Sequence, residues 1–198
     1  MLEWRFGDIR VRLSLLFPAL IATLLLLQPN SLALTCLFAS LIHEGGHLLA
    51  MAVLGVRPEE CLIGAFGVRI RLSRNLTSYG KNLWISLAGP LANGIAFCVL
   101  MCLEHSDSGV VHLILAIFNL LPAATLDGGE ILRCVLNMMG LETLVPEVLR
   151  FVSALILLPL ASVSFWLFLQ RSGNFTLLIV SIYLAALVIF SEKYEKTS

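Results

Sequence analysis

The chain has 198 residues, of which 59% are hydrophobic and only 13% are charged, and its formal net charge is zero. A soluble domain of this length carries about a quarter charged residues, so the composition excludes an ordinary soluble protein. It predicts an integral membrane protein with most of its length in membrane spans, surrounded by the lipid bilayer. The zero net charge says nothing about nucleic acid, and we predict no nucleic-acid partner.

Six apolar segments are long enough to be candidate membrane spans, and they predict an all-α membrane protein with a bundle of about six transmembrane helices. They cover residues 13–28, 31–54, 81–103, 109–126, 147–169 and 174–191. The first and fourth segments are short, so either could be tilted, kinked or partly re-entrant. A cleaved signal peptide is the alternative for the first segment, although no clear cleavage site follows it.

The basic residues lie on one side of these segments. If the N-terminus is cytoplasmic, the cytoplasmic side holds all of the 13 lysines and arginines except Arg171. Because cytoplasmic loops of membrane proteins are enriched in Lys and Arg, this distribution predicts a multi-pass protein with both termini in the cytoplasm. The five cysteines form no CxxC pair, and we interpret them as small apolar packing residues.

The second segment contains the sequence His43-Glu44-Gly45-Gly46-His47. Residues four apart share one face of a helix, so His43 and His47 can offer imidazole nitrogens to one zinc ion. Glu44 is close enough to act as general base on an attacking water. The alternative is two buried histidines satisfied by neighbouring side chains, but ionisable groups inside a membrane span are usually functional.

A cytoplasmic link over residues 55–80 joins the second and third segments. Apolar residues at 68, 70 and 72 alternate with Arg69 and Arg71, which predicts a β-strand. Residues 61–63 are its predicted hairpin partner. This small membrane-associated hairpin, residues 60–72, would either hold an extended substrate by β-augmentation or only cover the membrane face.

Catalytic zinc usually has three protein ligands, and Asp127 is the predicted third ligand. It lies near the cytoplasmic end of the fourth segment, in the same half of the membrane as His47. Pro122 is expected to break the helix before it, and the pair Gly128–Gly129 to let the chain turn at that depth. Glu130 is a substitute ligand, and a helix cap is the alternative role for Asp127. The polar residues at 104–107 and 112 are predicted to lie on the outer side.

The motif at 43–47, followed by Asn119-x-x-Pro122-x-x-x-Leu126-Asp127-Gly128-Gly129, resembles the site-2 protease family of intramembrane zinc metalloproteases. Residues 86–94, which include Asn93, resemble the small-residue segment of that family. The resemblance spans about residues 31–130.

The resemblance implies one zinc ion bound by His43, His47 and Asp127, with Glu44 activating water. It also suggests that Asn93 and Asn119 position the substrate or stabilise the oxyanion. Hydrogen bonding between helices is the alternative role for both asparagines.

The resulting prediction is a single intramembrane metalloprotease domain over residues 1–198, with its catalytic core at about 31–130 and no PDZ-like or C-terminal regulatory domain. The substrate would be a membrane protein, cut within or next to a transmembrane segment on the cytosolic side, as in regulated intramembrane proteolysis. The compact form most resembles bacterial members that cleave a membrane-associated pro-sigma factor during sporulation, which implies a bacterial plasma membrane. A regulatory membrane partner would be of unknown identity.

Two other functions are compatible with a membrane zinc site. The first is a non-catalytic zinc-binding protein that binds transmembrane segments, and the presence of Glu44 argues against it. The second is a zinc transporter, which would need a polar path across the membrane. The first, fifth and sixth segments contain almost no ionisable groups, which argues against such a path.

Overall fold

The structure is a computed structural model that describes residues 2–6, 9–13, 31–56, 58–64, 67–72, 78–124 and 126–169. Two predicted spans lie outside the described residues. They are the span at 174–191 and, except for residue 13, the span at 13–28. The chain divides into two compact units, residues 1–118 and 119–198, and each is described by itself.

A four-stranded β-sheet belongs to the first unit. Its strands are β1 (Leu2–Phe6), β2 (Ile9–Leu13), β3 (Pro58–Gly64) and β4 (Gly67–Leu72), in that spatial order. The β1–β2 and β3–β4 pairs are antiparallel, whereas β2 and β3 are parallel. In the β3–β4 pair, Cys61 is opposite Ile70 and Ile63 is opposite Val68. β1 and β2 were not predicted, so the described sheet is larger than the hairpin expected at 60–72.

Three helices also belong to this part of the chain: α1 (Ser31–Val53), which lies between β2 and β3, and then α2 (Tyr79–Cys102) and α3 (Ser106–Asn119). The Ser78 hydroxyl caps α2 by accepting a hydrogen bond from the Lys81 backbone N–H at 3.4 Å. The Lys81 ammonium donates to the Leu54 carbonyl, 3.0 Å away and just beyond the end of α1. A cation at a helix C-terminus is favourable, so this bond ties the start of α2 to the end of α1.

Two of the described helices are long and apolar enough to cross a membrane, namely the stretches Leu32–Val53 and Tyr79–Cys102. They expose large apolar side chains, including Leu49, Val53 and Ile95, as a lipid-facing surface does. The fourth predicted span is shorter than expected, because α3 ends at Asn119 and not near residue 126. Its 14 residues measure about 21 Å, less than the roughly 30 Å of a bilayer's hydrocarbon core. The bundle of about six helices stays a prediction.

The second unit begins with a turn and continues with α4 (Asp127–Met138), a 3₁₀ turn (Glu142–Leu144) and α5 (Val145–Leu169). In the turn, the Leu126 N–H donates to the Ala123 carbonyl at 2.9 Å. α4 is followed by Gly140, whose φ of +75° is the left-handed conformation that ends many helices. α5 covers the predicted span at 147–169.

The glycine pair at 128–129 has a different role from the predicted one. Both residues lie in the first turn of α4 and do not form the chain reversal themselves. A Cβ on Gly128 would overlap the carbonyl oxygens of Leu120 and Leu121, and one on Gly129 would overlap that of Ala123. The glycines are therefore needed for the close approach of α4 to the preceding turn.

Ser153 of α5 anchors this turn. Its side chain is fully buried, and its hydroxyl oxygen accepts a hydrogen bond from the Ala124 N–H at 2.9 Å. We expect Ser153→Ala to lower the free energy of unfolding by about 1–3 kcal/mol, because the part-buried N–H loses its partner. Ser162→Ala is the matched control on the same helix, where an exposed hydroxyl donates to its own helix at Leu158. Denaturation of both variants in the same detergent tests this, and equal stabilities would contradict it.

Cys134 packs inside the second unit, where its side chain is 1% exposed and its thiol donates to the Glu130 carboxylate at 3.8 Å. It is a free cysteine, as are Cys36, Cys98 and Cys102. Burial, with a further contribution from Glu130, raises the pKa of Cys134 to about 12. At neutral pH the thiol is therefore protonated and unreactive.

We expect a variant that keeps only this cysteine, with the other four replaced by serine, to resist maleimide in the folded state and to react fully after denaturation. Equal labelling in both states would contradict the buried position of Cys134.

Candidate metal centre

The two histidines of the 43–47 motif lie on the buried face of α1. Ala39, His43, His47 and Met51 follow one another at a spacing of four residues, and each is at most 9% exposed. This spacing stacks side chains on one face of a helix. The Nε2 atoms of His43 and His47 are 3.2 Å apart, and the rings are nearly perpendicular at 86°. Two nitrogen ligands of a tetrahedral zinc ion stand about 3.3 Å apart, so the pair fits that ion.

The protonation of His47 is set by its partner on α2. Its Nδ1 atom lies 2.7 Å from the Ile85 carbonyl oxygen in a buried contact. A carbonyl can only accept, so Nδ1 carries the proton and donates it, and Nε2 keeps its lone pair. An imidazole whose other nitrogen donates to a backbone carbonyl is a common arrangement for a metal ligand.

Gly89 gives the histidines their space on α2. A Cβ at this position would overlap Nε2 of His47 and would lie 2.6 Å from its Cε1 and 2.9 Å from the Cε1 of His43. A Cβ on Gly46 of α1 would likewise overlap the Ala88 carbonyl and the Ala92 side chain. The small residues of α2 therefore let the two helices approach closely around the imidazoles.

Asn93 contacts one histidine of the 43–47 motif and one histidine of α3. Its side chain is fully buried, with Nδ2 at 3.2 Å from Nδ1 of His43 and Oδ1 at 3.0 Å from Nδ1 of His112. These contacts join α1, α2 and α3, which matches the alternative of hydrogen bonding between helices. Contact of Asn93 with a substrate stays a prediction.

His112 was not among the predicted site residues, because the predicted topology puts it on the outer side of its span. The structure buries its side chain to 3% exposure. The available signal was an ionisable residue within the apolar helix α3.

The other predicted site residues, Glu44, Asn119 and Asp127, are all half-buried. Glu44 is half-buried beside His43, and Asn119 is half-buried at the end of α3. Asp127 is half-buried in the first turn of α4, where the helix dipole stabilises a carboxylate. Their roles stay predictions.

The substitute ligand Glu130 has an ion-pair partner, since its carboxylate lies 3.3 Å from Nε of Arg133. Burial raises the pKa of Glu130, and the nearby Arg133 charge partly offsets that rise. A carboxylate engaged in this pair is less available to a metal than one without a cationic neighbour.

The sequence is similar to a known protein family and to known zinc metalloproteases. Residues 108–160, which include Asp127, match Peptidase family M50. A putative zinc metalloprotease of Synechocystis is 28% identical over 112 residues, covering 50% of this chain and 30% of that protein. A zinc metalloprotease of Methanocaldococcus jannaschii is 32% identical over 114 residues, covering 51% and 33%. The chain thus aligns with about a third of each curated relative.

The fold also has a solved counterpart. The structure of a site-2 protease from Methanocaldococcus jannaschii matches with a TM-score of 0.66 and 23% identity, covering 92% of this chain and 91% of that one. This match supports the fold of the chain. The chain is thus similar to Peptidase family M50 over residues 108–160, and its fold is similar to that of a solved site-2 protease.

Proposed function

We propose that this chain is an intramembrane zinc endopeptidase that hydrolyses a peptide bond within or next to a transmembrane segment of a membrane protein. The observation that carries the proposal is the pair of Nε2 atoms of His43 and His47, 3.2 Å apart on the buried face of an apolar helix. Glu44 occupies the next position along that helix. The zinc metalloproteases among the relatives support the same reaction class.

His43, His47 and Asp127 would hold one zinc ion. Two neutral imidazoles and a carboxylate are a ligand set that suits catalytic zinc and leaves a position for a reactant. When bound, zinc polarises a scissile carbonyl and lowers the pKa of water. Asp127 lies in the segment that matches Peptidase family M50, which supports its place in this set.

Glu44 would transfer the proton between the attacking water and the leaving amine. Consecutive helix positions are rotated by about 100°, so Glu44 lies beside the buried histidine face and is only half-buried. Its carboxylate takes a proton from the attacking water and returns it to the leaving amine.

The substrate would reach this site from the bilayer and leave its products in the cytosol. The exposed apolar faces of α1 and α2 are suited to lipid and to a transmembrane segment. β4 lies at the edge of the described sheet, where an extended substrate strand could pair with it. Asn119 would help to position that substrate, in a multi-pass protein of a bacterial plasma membrane with both termini cytoplasmic.

The test is cleavage of a panel of single-span membrane substrates by the purified protein in lipid nanodiscs. We expect products in the presence of zinc, none after removal of zinc by a chelator, and recovery when zinc is restored. Cleavage that continues in protein shown to be zinc-free would refute a zinc-dependent mechanism. Mass spectrometry of the products would show whether the cut lies within or next to the apolar segment.

A further inference from the structure

Three buried polar side chains of the first unit form a row from α3 to α1. His112 contacts Asn93 at 3.0 Å, and Asn93 contacts His43 at 3.2 Å. The exposed fraction is 3% for His112, 0% for Asn93 and 6% for His43. Burying a histidine and an amide in apolar helices is unfavourable unless their polar atoms are paired, and here each is paired with another member of the row. His112 has no role in the proposed reaction, so the burial of its imidazole needs another explanation.

The two histidines of α1 differ in what fixes their tautomer. The Ile85 carbonyl can only accept, so it places the His47 proton on Nδ1. The Nδ1 atom of His43 instead contacts an amide, which can present either an accepting oxygen or a donating nitrogen. The orientation of Asn93 therefore decides which nitrogen of His43 carries the proton.

Two arrangements of hydrogen atoms satisfy this row. In the first, His112 donates from Nδ1 to Oδ1 of Asn93, and the amide donates from Nδ2 to His43. The His43 proton is then on Nε2, the nitrogen that faces His47, and this nitrogen cannot bind a metal.

In the second arrangement the amide is rotated by half a turn. His43 donates from Nδ1 to the amide oxygen, and the amide nitrogen donates to Nδ1 of His112, whose proton is then on Nε2. Only this arrangement leaves a lone pair on Nε2 of His43.

We propose that His112 is a positioning residue that, as the outer partner of Asn93, allows His43 to take the tautomer that binds zinc. This inference rests on the proposed function, because it requires His43 to be a zinc ligand. Its consequence is that zinc binding at His43 selects the second arrangement, in which the proton of His112 is on Nε2. His112 would thereby report metal occupancy without contacting the metal.

The side chain at position 112 has to satisfy a specific chemical requirement. It must donate to the amide in one arrangement and accept from it in the other, at nearly the same position. Imidazole does both by moving its own proton between its nitrogens, and an asparagine amide can do both by rotating. A leucine of similar size can do neither and would leave the buried Asn93 amide without its outer partner.

The first arm of the test measures zinc affinity by competition with a chromophoric chelator in the full-length protein. We expect His112→Leu to weaken zinc binding by about 10- to 100-fold, the usual effect of losing a hydrogen-bond partner behind a metal ligand. His112→Asn should restore affinity to within a few-fold of the wild type. His105→Leu, the same substitution at an exposed histidine, is the matched control and should have no effect.

The second arm uses ¹⁵N NMR of the imidazoles, which is practicable because the chain has only four histidines. The spectra distinguish protonation at Nδ1 from protonation at Nε2. We expect zinc to shift His112 to the Nε2-protonated form, although this residue would not bind the ion. Asn93→Leu should abolish that response, because it removes the link between the two histidines.

The outcomes separate this inference from the proposed function. A wild-type protein that is folded but binds no zinc would refute the metalloprotease proposal. If the wild type binds zinc, His112→Leu binds it equally well and the His112 resonances do not respond to zinc, the positioning role is wrong while the protease proposal stands. Lower thermal stability of His112→Leu with unchanged zinc affinity would show a packing role only and would also overturn the inference.

Discussion

Replacing Glu44 with glutamine is expected to slow substrate cleavage by about 10²- to 10⁴-fold, the contribution typical of general acid–base catalysis. Glutamine has nearly the same shape but cannot take up a proton from water. Because Glu44 is not among the proposed ligands, the variant should bind zinc as tightly as the wild type. Single-turnover cleavage of one membrane substrate, together with the zinc content of each preparation, measures both quantities.

The control is Glu142→Gln, the same substitution at an exposed glutamate of the 3₁₀ turn. It should leave both rate and zinc content unchanged. Loss of zinc from Glu44→Gln would instead make Glu44 a ligand. Full activity of that variant would mean that another group acts as the base.

Replacing Gly89 with alanine is the second large expected effect, because the new methyl group would occupy space now filled by the His47 ring. Both histidines are buried and packed between helices, so the rings cannot move aside without losing the close approach of their Nε2 atoms. We expect zinc affinity to fall by about 100-fold or more, since metal sites tolerate only small displacements of their ligands. Chelator competition measures this change.

Gly94→Ala provides a matched control on the same helix. A Cβ at Gly94 would have no atom within 4 Å, so this substitution changes helix propensity without touching the site. It should keep wild-type zinc affinity. Similar zinc affinities for the Gly89 and Gly94 variants would show that the imidazoles do not depend on the space at Gly89. Circular dichroism of both variants would show whether the helices are retained.

Local sequence patterns account for much of the first unit. The hydrophobic segments at 31–54 and 81–103 lie within two residues of the observed bounds of α1 and α2, because long apolar runs are a strong signal. The four-residue spacing of His43 and His47 likewise places both side chains on one helix face. These inferences need only the geometry of a single helix.

Features that depend on distant partners were not predictable in the same way. The parallel pairing of β2 with β3 joins Val11 to Cys61, and no local pattern specifies such a long-range register. The fourth span was also predicted to extend beyond Asn119, where α3 ends. Hydropathy reports only the apolar character of a segment and contains no information on where the backbone turns. The His112 and Ser153 hydrogen bonds depend on tertiary packing, which no spacing rule contains.

The most direct test of the proposed zinc site is the metal content of purified, folded protein. Elemental mass spectrometry should find one zinc ion per wild-type chain, as a catalytic site requires. His43→Ala, His47→Ala and Asp127→Ala should each lose most of that zinc while keeping the helical circular dichroism of the wild type. A folded wild type that takes up no zinc would contradict the proposed site, and an Asp127→Ala variant with undiminished affinity would remove Asp127 from its ligands.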